Sequence, residues 1–138
     1  MLKHPFLDVP YQPTIREFLG DFDIYDREDT LGAEFQEYDM NSRSDRERLI
    51  RKYISERKTH LSYRHRYVLL KELAKTLENE DYDFKSLFED DPEEYSSMPY
   101  DWDEMKDPRA FFEDIYQILK VDWEADISRV SKENPDTW

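Results

Sequence analysis

Three stretches of this chain repeat apolar side chains at helical spacing, and that periodicity limits the fold more than any other feature. In residues 45–58 the stripe is Leu49, Ile50, Tyr53 and Ile54. In 62–79 it is Tyr63, Tyr67, Leu70, Ala74 and Leu77, at alternating steps of four and three, widened by Val68, Leu69 and Leu73. In 108–133 it is Phe112, Ile115, Tyr116, Leu119, Trp123, Ile127 and Val130. Such steps gather apolar groups on one side of a helix, whereas a strand sends successive side chains to opposite faces. The starts are marked too. Ser44-Asp-Arg-Glu47 reads as a capping box, and Asp107-Pro108 pairs a capping side chain with proline at the first helical position. Pro135 closes the last stretch. Thr14-Ile-Arg-Glu17 is a further capping box for a short helix carrying Ile15, Phe18 and Leu19, with Gly20 as its stop. Leu31, Phe35 and Tyr38 suit another short helix at 29–38, and Asp83 can cap a turn carrying Leu87 and Phe88. Only Gly20 and Gly32 are glycines, and there is no Asn-Gly or Asp-Gly hairpin signal. The sequence thus predicts a mostly α, single-domain helical bundle over 1–138. It has three principal helices at about 45–58, 62–79 and 108–133, short accessory helices and a long acidic loop.

Charge is the second constraint. The net charge is −14, and it is laid out in blocks. Residues 1–40 hold 3 basic and 10 acidic groups, residues 41–76 hold 11 and 4, and residues 77–138 hold 6 and 20. The field of the whole repels nucleic acid and anionic membrane and attracts basic partners. Aromatic residues make up 15% of the chain, which argues for a packed core despite 39% charged residues. At this length roughly two thirds of the unfolded surface can be buried. Without cysteine there is no disulfide framework and no thiolate zinc site. No apolar run approaches the ~20 residues of a membrane span. The opening MLKHPFLDVPYQP is broken by Asp8 and prolines and lacks a signal-peptide core, so the cytoplasm is expected.

The motifs of catalysis are not met. His60 and His65 are five apart and do not share the face that a zinc helix needs. Glu104-Met-Lys106 with Asp90 and Asp91 upstream has the order of a nuclease metal site, but Asp107-Pro108 opens a helix where that site needs a strand. Asp21, Asp23 and Asp26 fail the calcium-loop frame, which wants glycine at its sixth position and glutamate at its twelfth. No phosphate loop, nucleophile elbow or dinucleotide fingerprint is present. The expectation is a protein that is not an enzyme and holds no metal or cofactor. The basic block from Arg43 to Arg66 can be read as a nucleic-acid stripe. On a chain of this charge the stronger reading is that it faces the acidic thirds of the same molecule.

The connection at 80–106 carries the partner-binding expectation. Between Glu78 and Glu104 there are 12 carboxylates and one basic residue, Lys85. Interfaces combine aromatic anchors with a charged rim. The candidate residues are therefore Asp90, Asp91, Glu93, Glu94, Tyr95, Tyr100, Asp101, Trp102 and Asp103, with Tyr95, Tyr100 and Trp102 as anchors. The first 40 residues, with Asp21, Asp23, Asp26, Glu28 and Asp29, are the alternative surface. Two inhibitory readings use such a surface: covering the cationic substrate site of a basic protein such as a nuclease, or imitating DNA. Duplex DNA has one charge per ~1.7 Å. Twelve carboxylates over these residues would give about one per 3.4 Å if helical, and Pro92 and Pro99 break the regularity, which favours the first reading. A non-inhibitory regulatory or scaffold subunit is a third class.

In being small, acidic, aromatic-rich, cysteine-free and helical, the chain resembles bacterial toxin-immunity proteins of contact-dependent growth inhibition systems. The segments YRHRYVLLKELAKTL (63–77) and PYDWDEMKDPRAFFEDIYQI (99–118) carry that resemblance. It implies action in the cytoplasm and tight one-to-one binding to a cognate toxin domain, often a nuclease.

Overall fold

The computed structural model describes residues 1–89, 98–99 and 101–138. The fold is mostly helical, as the periodicities require. Its α-helices are α1 (Ala33–Phe35), α2 (Arg43–Ile50), α3 (Tyr63–Leu77), α4 (Pro108–Asp122) and α5 (Glu124–Val130). Short 3-10 helices lie at Ile15–Phe22, Arg57–His60, Lys85–Phe88, Trp102–Glu104 and Pro135–Thr137, and wider π turns at Glu28–Gly32 and Arg51–Ser55. Among the described residues the one β pairing is an isolated bridge between Lys3 and Pro10. No helix there is long and apolar enough to cross a membrane.

The central helix α3 packs on α4 and α5, and α2 packs on α4. One buried cluster runs from Ile15 to Trp123 and draws on nearly every element. Phe18, Phe22, Phe35, Tyr53, Leu69, Phe111 and Phe112 are among its fully buried members. Each such ring or aliphatic group contributes roughly 1.5–3 kcal/mol through removal from water, which is how a chain this charged stays folded.

Several boundaries differ from the sequence expectation. The cap of α2 is Ser42, whose Oγ accepts from the Asp45 N–H at 3.4 Å. Ser44 lies inside the first turn, because the backbone is extended at Ser42 (φ −98°, ψ 121°) and helical from Arg43. The helix then widens at Arg51–Ser55 and tightens at Arg57–His60 before the chain turns into α3. Thr14 does not cap with its hydroxyl. The Glu17 N–H donates to the Thr14 carbonyl instead (3.1 Å), the tight pattern of a 3-10 helix, and Gly20 lies within that helix and does not end it. The expected helix at 108–133 is broken at Trp123 (φ −105°, ψ 22°), which lets the buried indole enter the core and turns α5 back along α3. Apolar spacing is the same on both sides of the break, so periodicity could not reveal it. Asp107 does cap α4, accepting from the Ala110 N–H at 3.1 Å with Pro108 at the first position. Asp83 likewise accepts from the Ser86 N–H at 3.3 Å.

Long-range ion pairs then clamp the basic block to the acidic elements. Arg46 Nε meets Asp114 Oδ2 at 2.7 Å with both side chains largely buried, and Arg43 approaches the other oxygen at 3.8 Å. Arg66 grips Asp126 with two nitrogens, at 2.7 and 3.0 Å. Arg64 lies 2.8 Å from Glu133, and Arg51 lies 3.5 Å from Asp122. Lys52 reaches Glu34 at 3.0 Å. Lys58, only 8% exposed, donates to the Glu17 carbonyl at 3.1 Å and sits 3.4 Å from Asp21.

Candidate protein-binding surface

Of the three expected aromatic anchors, Trp102 lies among the described residues, and its placement can be traced from the backbone outward. Asp101 adopts a left-handed conformation (φ 65°), which turns the chain sharply into Trp102–Glu104. An aspartate tolerates that conformation better than most residues, because its short polar side chain can satisfy the local backbone. The turn drives the Trp102 indole inward. Its ring centroid lies 5.0 Å from Phe22, 5.8 Å from Phe35 and Phe111, and 6.2 Å from Phe88. Asp101, Asp103 and Glu104 remain exposed, and none of them has an ion pair among the described residues.

Trp102 is therefore a correction. It was expected as an aromatic anchor for a partner, and at 2% exposure it is a core side chain. Rings spaced among carboxylates fasten an acidic segment as readily as they bind a partner. Phe84, Leu87, Phe88, Met98 and Met105 are buried with it and hold the described parts of 80–106 against the helices. Asp90, Asp91, Glu93, Glu94, Tyr95 and Tyr100 lie outside the described residues.

Beside Trp102 is a hollow of about 460 Å³. Asp101 from one segment and Gln36, Tyr38, Asp39 and Asn41 from another line it, with the buried Phe35 and Trp102. The two segments are tied together, since the Asn41 Oδ1 accepts from the Lys106 N–H at 3.0 Å. Asp39 is set by a local turn in which its Oδ1 accepts from the Asn41 N–H (2.9 Å) and its own N–H donates to Asp45 (2.9 Å). Sequence reading left open whether the first 40 residues or the 78–104 connection supplied the acidic surface. At this hollow an edge of each meets. Asp39 and Asn41 carried no signal of their own; only their place beyond a short helix that packs against Trp102 brings them here. Of the alternative surface, Asp26, Glu28 and Asp29 are exposed, while Asp21 is drawn to Lys58.

The basic block presents the opposite picture. Of its nine cations, Arg43, Arg46, Arg48, Arg51, Lys52, Lys58, Arg64 and Arg66 have a carboxylate partner within the protein. The ninth, Arg57, lies over the Tyr53 ring at 4.8 Å. Hydrogen bonding to Glu34 raises the Lys52 ammonium above its ordinary pKa, and bonds from Tyr63 and then Arg64 hold the Glu133 carboxyl below its own. His65 is held by local contacts. The His65 Nε2 donates to the Lys3 carbonyl (2.7 Å), Nδ1 lies 2.6 Å from the Ser62 Oγ, and the ring meets Tyr11 at 4.9 Å. Among the described residues no group of three acidic or histidine side chains is placed to hold a metal ion.

Comparison with family models, with curated proteins and with solved structures finds no match to the chain.

Proposed function

We propose that this protein is an acidic inhibitor that binds a cognate toxin, a basic nuclease domain, and neutralises it in the cytoplasm by covering its substrate site, with no catalytic activity of its own. The observation that carries this reading is the one-sided use of charge. The basic block is spent on internal ion pairs, whereas Asp101, Asp103, Glu104 and Asp39 at the rim of the Trp102 hollow have no counter-ion among the described residues. Net charge −14 then acts outward, which favours encounter with a cationic protein and disfavours direct contact with nucleic acid. Apolar and aromatic groups beneath the rim suit an arginine or lysine side chain of the partner, whose stem needs apolar cover and whose head needs a carboxylate.

The test is affinity capture with the purified protein in cells that produce it, followed by assay of the captured component. The expected result is one basic nuclease domain, inhibited at equimolar ratio. Capture of a multi-subunit DNA-binding complex would replace this reading by imitation of DNA. Metal-dependent cleavage of RNA or DNA by the protein itself, abolished in Glu104→Ala, would overturn the non-enzymatic part.

A further inference from the structure

A second recess lies where α3, α4 and α5 meet. It measures about 250 Å³. Leu70, Ala74 and Ile127 make its apolar floor, the rings of Tyr67 and Tyr116 flank it, and Lys71 and Lys120 complete the lining. It exists because α5 turns back at Trp123 and covers α3 only in part, leaving Tyr67 and Ala74 half-buried at the edge of the stripe. Its chemistry is unlike the rest of the molecule. On a chain with 34 carboxylates, none lines this groove. Neither lysine has an ion pair among the described residues, although most cations of the neighbouring α2 and α3 surface do. Lys120 rests over the Tyr116 ring at 5.2 Å. The hydroxyls of Tyr67 and Tyr116 have no hydrogen-bond partner there either.

We infer that this groove binds a small amphipathic monocarboxylate, its apolar body on Leu70, Ala74 and Ile127 and its carboxylate met by Lys71 and Lys120. Each polar group lining the groove can donate a hydrogen bond, and the two ammonium groups donate only, which suits an acceptor with full negative charge. The volume lies below the ~300 Å³ at which sites for drug-sized ligands begin, so the ligand is small. A monoanion is favoured over a phosphate dianion because the surrounding field of the protein opposes negative charge, and opposes two charges more. The site is separate from the Trp102 hollow and does not depend on the partner-binding reading.

Octanoate is the probe, titrated calorimetrically into the purified protein at physiological ionic strength beside octanol and octylammonium, which keep the chain and change the head. Saturable one-to-one binding of octanoate is expected, with both others much weaker. Lys71→Ala with Lys120→Ala should weaken octanoate roughly 10- to 100-fold, the effect of losing hydrogen bonds to a charged group. Both lysines are exposed, so that variant should keep its fold. The methyl signal of Ala74 should shift on titration, which locates the ligand independently of any variant. Absence of octanoate binding, equal binding of octylammonium or octanol, or full affinity in the double lysine variant would each overturn the assignment.

Discussion

Tyr53 is fully buried between Phe22, Phe35 and Tyr38, and its hydroxyl has no hydrogen-bond partner among the described residues. A buried hydroxyl left in that state costs about 1–3 kcal/mol. Tyr53→Phe keeps the ring, with its neighbours and the cations of Lys52 and Arg57 over it. It should therefore be neutral or stabilising by up to about 1 kcal/mol, as read from urea denaturation; a loss of that size would mean the hydroxyl has a partner. Trp102 behaves in the opposite way. Packed against four aromatic rings, it should cost about 3–5 kcal/mol when replaced by alanine, measured by the same denaturation. A Trp102→Ala protein of unchanged stability that bound its partner more weakly would restore the anchor role that its burial argues against.

Among elements, α3 and α4 were the most legible, because each is one uninterrupted apolar face with a capping residue at its start. Pro108 and Asp107 fixed the start of α4 to the residue. Legibility fell wherever two local solutions had similar free energy. Ser42 and Ser44 both stand three residues before an acidic side chain, and only the backbone turn chooses between them. The bend at Trp123 has neither proline nor glycine to announce it. The surface was harder still: local composition singles out Asp101 and Asp103, but Asp39 comes to the hollow beside Asp101 only through tertiary packing. The junction of α3 with the segment after α5 offers a pH test. Tyr63 donates to Glu133 at 2.5 Å, Arg64 joins it, and the carboxyl is held below its usual range. A carboxyl depressed in the folded state adds stability above its unfolded pKa of ~4.3, and that increment is lost as pH falls through the folded value. Glu133→Gln should thus be less stable than the parent at pH 7, and the gap should close as the pH drops below about 4. Thermal unfolding at the two pH values checks this; a gap that persisted in acid would show that the loss is not electrostatic.

At the scale of the molecule, most cations of the basic block are paired with carboxylates of the same protein, whereas Asp101, Asp103 and Glu104 have no ion pair among the described residues. Surface ion pairs individually contribute little, about 0–1 kcal/mol, so the clamps matter chiefly for where the remaining charge is displayed. For the partner proposed above, reversing Asp101 and Asp103 to lysine should slow association roughly tenfold or more at low salt. The difference from the parent should shrink above ~0.15 M, where screening acts within ~8 Å. Stopped-flow association at several salt concentrations measures it. Equal rates at low salt would place the encounter surface away from these carboxylates.

The pairings between Arg46 and Asp114, Arg64 and Glu133, and Arg66 and Asp126 span 68, 69 and 60 residues of chain. A ribosome adding about 5–20 residues per second needs roughly 3–14 s to cross such a gap. During that interval the arginines have left the site of synthesis and their carboxylates have not yet been made. Lys52 and Lys58 differ, since their partners Glu34 and Asp21 precede them in the chain. Closure of the three arginine clamps therefore waits for residues 114–133 to be made, and the arginines of α2 and α3 find their long-range partners last.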